Sequence, residues 1–168
     1  MTTLKDYILH QLREARREML KAIDGLSPEV MASHAPGGHS PIAWIVCHCL
    51  VNVDFFIHSG ITGEFGLEHD DRFRRWPLIE PAPGDAFPPP AELTDRWSRL
   101  LDASCAAVES LPDDALQQPG KSANPPEPLV ESCLRVINHT NAHLRQIWCI
   151  LGRQRVDDRY PTQETWLA

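Results

Sequence analysis

Four stretches of the chain place apolar residues at intervals of three and four positions, which is the spacing that gives a helix one apolar face. Local signals agree with these boundaries: Ser40 and Pro41 are an N-cap and a first-turn proline, Gly25 is a typical C-terminal stop, and Pro112 cannot continue a helix. The alternation typical of strands does not stand out. The pattern therefore predicts an all-α protein with helices at about Leu4–Gly25, Pro41–His58, Ala91–Leu111 and Glu127–Gly152.

The connection between the second and third predicted helices is long. Residues 60–90 include six prolines between Pro77 and Pro90, whereas neighbouring antiparallel helices need only short links. A connection of this length can recross the bundle, so that the second and third helices run parallel and the fourth returns antiparallel. We therefore expect an up-down-down-up four-helix bundle in which residues 1–168 form a single domain.

Composition and charge exclude several classes of function. The net charge is -7, and a basic stripe that would suit nucleic acid is missing. The first residues lack the apolar core of a signal peptide, and no stretch approaches 18 uninterrupted apolar residues, so we expect a cytoplasmic protein that does not bind a membrane. Five cysteines, an odd number without a Cys-x-x-Cys pair, are interpreted as small buried thiols: Cys47, Cys49, Cys105, Cys133 and Cys149.

Three histidines form a candidate metal site. His139 and His143 lie four residues apart in the fourth predicted helix, so both project from one face about 6 Å apart along the axis. The best third ligand is His48, since a histidine is otherwise hard to explain in the apolar second helix. His48 lies eight residues after Ser40 and His143 nine residues before Gly152, so antiparallel packing would bring them to the same height. Three imidazoles would leave coordination positions open, as in catalytic metal centres.

Other interpretations of these residues remain. His48 alone could be a core histidine with one hydrogen bond, and a lone pair of histidines at this spacing could be solvated. At most one of Cys47 and Cys49 could join the same centre, because successive helical residues point about 100° apart. A zinc protease motif is excluded because position 140 is threonine rather than glutamate. Three histidine ligands do not identify the metal, because imidazole binds zinc, nickel, iron and copper.

Residues around the candidate site carry further expectations. Asn52, one turn after His48, is a candidate hydrogen-bond partner for a ligating imidazole. The tail after Gly152 is expected to border the open end of the site, near His34 and His39. Most of the histidines outside the triad are expected at the surface: His10, His34, His39, His58 and His69.

The segment from Ser40 to His48, followed about 90 residues later by His139-x-x-x-His143-Leu-Arg-Gln-Ile, resembles the DinB-like superfamily of metal-binding four-helix bundles. The resemblance implies an up-down-down-up fold and metal ligands at His48, His139 and His143. Relatives include thiol-dependent S-transferases, the mycothiol-dependent maleylpyruvate isomerase and the N-terminal domains of ergothioneine-forming sulfoxide synthases. The last activity is not expected here, because a large second domain is missing and Arg145 replaces the glutamate of His-x-x-x-His-x-Glu.

The function predicted from these features is a divalent-metal-dependent thiol S-transferase or isomerase. The metal would be zinc, nickel or iron, with a low-molecular-weight thiol as cosubstrate and a small molecule as substrate. A metal can lower the pKa of a bound thiol and so supply the nucleophilic thiolate. The alternatives are a non-catalytic metal-binding structural or stress-response module and a metal-dependent hydrolase. The oligomeric state is left open, with a homodimer among the options.

Overall fold

The computed structural model describes residues 2–34, 40–67, 86–112, 114–122 and 127–154. Within these ranges regular structure is helical, apart from one isolated bridge between Pro119 and Pro128. The α-helices are α1 (Leu4–Ile23), α2 (Pro28–Met31), α3 (Ile42–Val53), α4 (Ser59–Thr62), α5 (Pro90–Ser110) and α6 (Leu129–Gln154). A π-helical turn, Asp54–His58, joins α3 to α4, and a 3₁₀ turn covers Ala115–Gln117.

The four predicted helices are confirmed, with small differences at their ends. The first begins with a capping box: the Thr3 hydroxyl accepts a hydrogen bond from the Asp6 backbone N–H, and the Asp6 carboxylate accepts one from the Thr3 N–H. The short α2 was not predicted. Ser27 is its N-cap and Pro28 its first residue. A serine followed by a proline, the signal used to predict the start of the second helix, therefore also precedes this single turn.

Helix α3, the π-helical turn and α4 form one continuous helix, Ile42–Thr62, called the second long helix below. It does not end at Ser59 and Gly60, as predicted, but continues through Thr62 to Gly63. Gly63 adopts the left-handed backbone conformation (φ 86°), which ends a helix at little cost for glycine. Gly60 instead lies inside the helix: its carbonyl accepts a 2.7 Å hydrogen bond from the Lys121 backbone N–H, and its Cα lies near Gly120. Gly60 is therefore a packing position rather than a stop.

Contacts between side chains fix the relative direction of two helix pairs. Lys5, at the start of α1, donates a 2.8 Å hydrogen bond to the carbonyl of Leu111, just past α5, while Trp97 near the start of α5 donates to the carbonyl of Arg16. These contacts make α1 and α5 antiparallel. The second long helix and α6 are also antiparallel, because Arg135 lies over the ring of Phe56 while His139 contacts His48.

One hydrophobic core lies between these helices in the described part of the chain. The largest fully buried side chains come from α1, the second long helix and α5: Ile8, Leu12, Met19, Ile23, Ile42, Ile45, Leu50, Ile57, Leu93, Trp97 and Leu101. The second long helix, Ile42–Thr62, is apolar and long enough to span a membrane by length and composition, but 61% of that window is buried inside the protein. This burial is what a core helix of a soluble protein shows. Residues 68–85, which include Pro77, Pro81 and Pro83, lie outside the described residues, whereas Pro88 and Pro89 directly precede α5 and Pro90 begins it.

The cysteine prediction is correct at four positions and wrong at one. Cys47, Cys49, Cys105 and Cys133 are buried, whereas Cys149 is exposed. Position 149 lies between the buried Trp148 and Ile150 in α6. Since successive residues point about 100° apart, both neighbours can face the core while Cys149 faces solvent.

Candidate metal centre

The second long helix and α6 bring the three predicted histidines together. The Nε2 atom of His139 lies 3.0 Å from Nε2 of His48 and 3.1 Å from Nε2 of His143. One ligand atom from each ring can be chosen so that all three lie within 4.8 Å of one another. The predicted match in height between the two helices is therefore confirmed.

The spacing of these nitrogens fits one metal ion. Metal–imidazole bonds of about 2.1 Å place two ligand nitrogens about 3.0 Å apart when the angle at the metal is close to 90°, and about 3.4 Å apart at the tetrahedral angle. The observed 3.0 and 3.1 Å separations lie at the lower end of this range. The three rings are therefore already close to the positions that a shared ion requires.

Hydrogen bonds alone leave this cluster poorly satisfied. The Nε2 atom of His139 faces two other ring nitrogens, yet a neutral imidazole nitrogen carries either one proton or one lone pair. Its other ring nitrogen, Nδ1, is buried and has no hydrogen-bond partner among the described residues. A cation at the centre would accept the lone pairs of all three Nε2 atoms. The donor set therefore fits a metal better than it fits a network of hydrogen bonds.

The environment of His139, the central histidine of the cluster, favours its neutral form. Burial, followed by the neighbouring charges of His143, His48 and Arg135, lowers the pKa of His139 from 6.5 to about 4. A neutral imidazole has the lone pair that metal binding needs. His139 is consequently ready to bind a metal at neutral pH without first losing a proton.

Two neighbours orient the rings of His48 and His143. Trp44, one turn before His48, stacks on its ring at a centroid distance of 4.7 Å and an angle of 9°. The side-chain oxygen of Gln146 lies 2.8 Å from Nδ1 of His143. Because an amide oxygen only accepts, this contact places the proton on Nδ1 and leaves Nε2 of His143 as the lone-pair atom. Sequence reasoning missed Gln146, although its position three residues after His143 on one helix face was a usable signal.

Asn52 contacts His48 in a way that differs from the prediction. Its amide nitrogen lies 2.8 Å from the His48 carbonyl oxygen and 3.4 Å from His48 Nε2. Asn52 is thus on the side of the ring that faces the centre, rather than beside the far nitrogen as a supporting acceptor.

The remaining histidines do not join the cluster among the residues that are described. His10 and His34 are exposed, as expected. His58 is half-buried rather than exposed, because its ring packs against Gly66, where a Cβ would come within 2.9 Å of it. His39, His69 and the predicted tail border after residue 154 lie outside the described residues.

Comparisons with known proteins agree with this fold. The sequence profile of the DinB superfamily matches residues 11–147, a range that includes all three clustered histidines. A crystal structure of a conserved protein from Enterococcus faecalis is similar, with a TM-score of 0.57 and 14% sequence identity, over 90% of this chain and 99% of that chain. At this identity the likeness shows the fold alone. No curated protein matched the sequence of this chain.

Proposed function

The chain belongs to the DinB superfamily, and from this premise we propose that it is a metal-dependent thiol S-transferase or isomerase. The proposed ligands of one zinc, nickel or iron ion are His48, His139 and His143. The observation that carries the proposal is the convergence of their three Nε2 atoms around a half-buried point. A divalent ion bound there would lower the pKa of a small thiol and so present it as the thiolate nucleophile.

Access to the centre supports an enzyme. All three histidines are half-buried rather than sealed in the core, so a small molecule can approach the rings. The half-buried indole of Trp44, stacked on His48, provides an apolar surface beside them. A site that only stabilised the fold would gain from complete closure, because structural metal sites fill all coordination positions with protein ligands.

The protein's own buried thiols are poor competitors for the proposed ion. Burial raises the pKa of Cys133 to about 12. Burial is also the largest cause that raises the pKa of Cys49, with the neighbouring Cys47 adding to it, although Thr140 opposes this effect. A thiol with a raised pKa stays protonated at neutral pH and is neither a nucleophile nor a metal ligand. The reacting thiol in the proposal is therefore that of a cosubstrate rather than Cys49 or Cys133.

A hydrolase is less well supported. A metal-dependent hydrolase needs a carboxylate base beside the attacking water. Among the described residues, the carboxylate that lies closest in sequence to a clustered histidine is Asp54, six residues after His48, and it is engaged elsewhere because it accepts the backbone N–H groups of Gly66 and Leu67. We therefore keep the transferase or isomerase as the proposal and treat the non-catalytic module as the outcome to exclude.

Metal analysis tests the first half of the proposal. The wild-type protein, purified without added metal and then loaded, should hold one ion per chain. The His139→Ala/His143→Ala double variant should lose most of it, and the exposed His10→Ala variant should retain it. Stoichiometric metal in the double variant would refute the ligand assignment.

A thiol titration tests the second half. The cobalt-substituted protein should show a spectral change on adding one of glutathione, mycothiol, bacillithiol or coenzyme A, and should consume that thiol with an electrophile faster than the metal-free protein does. If no thiol changes the spectrum and none is consumed faster, the protein is a non-catalytic metal-binding module.

Several broader predictions belong to this proposal. We propose that residues 1–168 form one cytoplasmic domain with up-down-down-up helix order and a small-molecule substrate, and with neither nucleic acid nor a membrane as partner. The two antiparallel helix pairs described above support this order. Size-exclusion chromatography with light scattering would decide between a monomer and a homodimer, and cell fractionation would test the location.

A further inference from the structure

Asn52 places a hydrogen-bond donor at the edge of the candidate metal centre. Its side-chain nitrogen lies 2.8 Å from the carbonyl oxygen of His48, one turn earlier in the helix, and 3.4 Å from Nε2 of the same histidine. A carbonyl oxygen only accepts hydrogen bonds, so the amide must present its NH₂ group and not its oxygen in this direction. The two hydrogens of that group serve two different positions.

Metal binding would change which acceptor is available to the second hydrogen of the Asn52 amide group. The Asn52 side-chain nitrogen lies 3.4 Å from His48 Nε2, a ring nitrogen that can accept a hydrogen bond when it carries the lone pair. A bound ion would use the lone pair of that nitrogen, and the hydrogen would then have no acceptor on the ring. A half-buried donor without an acceptor is unfavourable. It favours a ligand that brings its own acceptor atom.

We propose that Asn52 donates a hydrogen bond to the anionic sulfur or oxygen atom that binds on the open side of the three-histidine centre. The site would thereby select anionic ligands over neutral ones of similar size. Hydrogen bonds to charged acceptors are stronger than those between neutral groups. This inference rests on the proposed metal site but not on the proposed transferase reaction.

A purely structural role for Asn52 makes a different prediction. Its bond to the His48 carbonyl lies just before the π-helical turn Asp54–His58, so it could simply stabilise this part of the helix. In that case its replacement would lower the free energy of unfolding and would weaken all ligands of the metal alike. A comparison of how the substitution changes the affinity for an anionic and for a neutral ligand therefore distinguishes the two roles.

The test uses two probes on the cobalt-substituted protein, azide as an anion and imidazole as a neutral ligand, each titrated by visible absorption. In Asn52→Leu, azide affinity should fall about tenfold, equivalent to about 1.4 kcal/mol, while imidazole affinity stays within about twofold. Asn52→Asp keeps the size of the side chain but replaces the hydrogen-bond donor with a carboxylate, so the affinity for azide should fall further. The exposed Asn138→Leu on α6 is the matched control and should change neither affinity.

Each result decides the proposal. Unchanged azide affinity, or an equal loss for azide and imidazole, would overturn it. If Asn52→Leu does not fold by circular dichroism, the near-isosteric Asn52→Asp decides, and unchanged azide binding there would overturn the proposal. A wild-type protein that binds azide but consumes no thiol would refute the transferase and leave the role of Asn52 standing. A wild-type protein that takes up no cobalt would refute both.

Discussion

Replacing His139 with alanine should abolish the stabilisation of the protein by metal while changing the metal-free protein little. His139 is the central member of the cluster, since its Nε2 contacts Nε2 of both His48 and His143. Its Nδ1 is buried without a hydrogen-bond partner among the described residues. The imidazole therefore contributes little to the stability of the metal-free fold, and its loss should cost no more than about 1 kcal/mol.

The effect of the metal on wild-type stability follows from mass action. A ligand that binds only the folded state at 100 times its dissociation constant adds about 2.7 kcal/mol to the free energy of unfolding. For a chain of 168 residues, 1 kcal/mol corresponds to a shift in Tm of about 2 to 4 °C, so the metal should raise Tm by about 5 to 11 °C. In His139→Ala this shift should fall below about 2 °C.

Differential scanning calorimetry with chelator and with added zinc measures both quantities on both proteins. His10→Ala, at an exposed position of α1, is the control and should keep the full shift with zinc. A zinc-dependent shift in His139→Ala as large as in the wild type would refute the reasoning, because His139 would then not be a ligand. A large loss of stability in the chelated variant would show instead that the imidazole supports the metal-free fold.

The same variant has a pH signature. The pKa of His139 is lowered to about 4 in the folded protein from an ordinary value of 6.5. Between these values the unfolded chain binds one proton more than the folded chain, so the stability of the metal-free protein should fall as the pH drops from 6.5 toward 4. Urea unfolding in chelator should show a weaker dependence on pH in His139→Ala across this window. An equal dependence in the two proteins would mean that the pKa is not lowered.

Four further substitutions have expected outcomes, measured by urea unfolding unless stated. Gly63→Ala should lower the free energy of unfolding by about 1 kcal/mol, because residue 63 has a positive φ. Gly60→Ala should raise it by about 0.5 to 1 kcal/mol, because residue 60 is helical and a Cβ there makes only ordinary contacts. Equal effects of the two substitutions would refute this distinction. Ser104→Ala should gain about 1 kcal/mol, since the buried hydroxyl has no partner in the described structure, and a loss would reveal a missed hydrogen bond. Gln146→Leu should weaken zinc binding about 10- to 100-fold in a chelator competition, and unchanged affinity would show that the His143 tautomer needs no support.

The long helices and the histidine cluster could be predicted from sequence because both depend on regular spacing. Apolar periodicity sets which face of a helix is buried, and a fixed rise per residue converts sequence distance into height. Counting from Ser40 and Gly152 therefore placed His48 and His143 at one level, and the structure brings both to His139. Predicting the relative height of two residues from their sequence positions requires only that the two helices are straight and antiparallel near the site.

The π-helical turn and the true end of the second helix could not be predicted in this way. Both depend on contacts with distant residues: the carboxylate of Asp54 accepts N–H groups from Gly66 and Leu67, and the Gly60 carbonyl accepts from Lys121. Burial raises the pKa of Asp54, although those two hydrogen bonds oppose the shift. Signals in a single sequence describe local preferences only. In this helix, tertiary hydrogen bonds favour a π-helical turn over the regular α-helical pattern.

The two clustered histidines on α6 are held in different ways, and this difference affects how the proposed metal centre would form. Gln146 fixes both the ring position and the tautomer of His143, whereas Nδ1 of His139 has no partner in the described part of the chain. The Gln146 contact therefore places the proton of His143 on Nδ1 and leaves the lone pair on Nε2, whereas no described residue fixes the tautomer of His139 through Nδ1. An ion at this centre would take up the lone pairs of the three Nε2 atoms and would displace the contact of Asn52 with His48 Nε2. If the proposed ion binds, local order around His139 should consequently increase with metal occupancy.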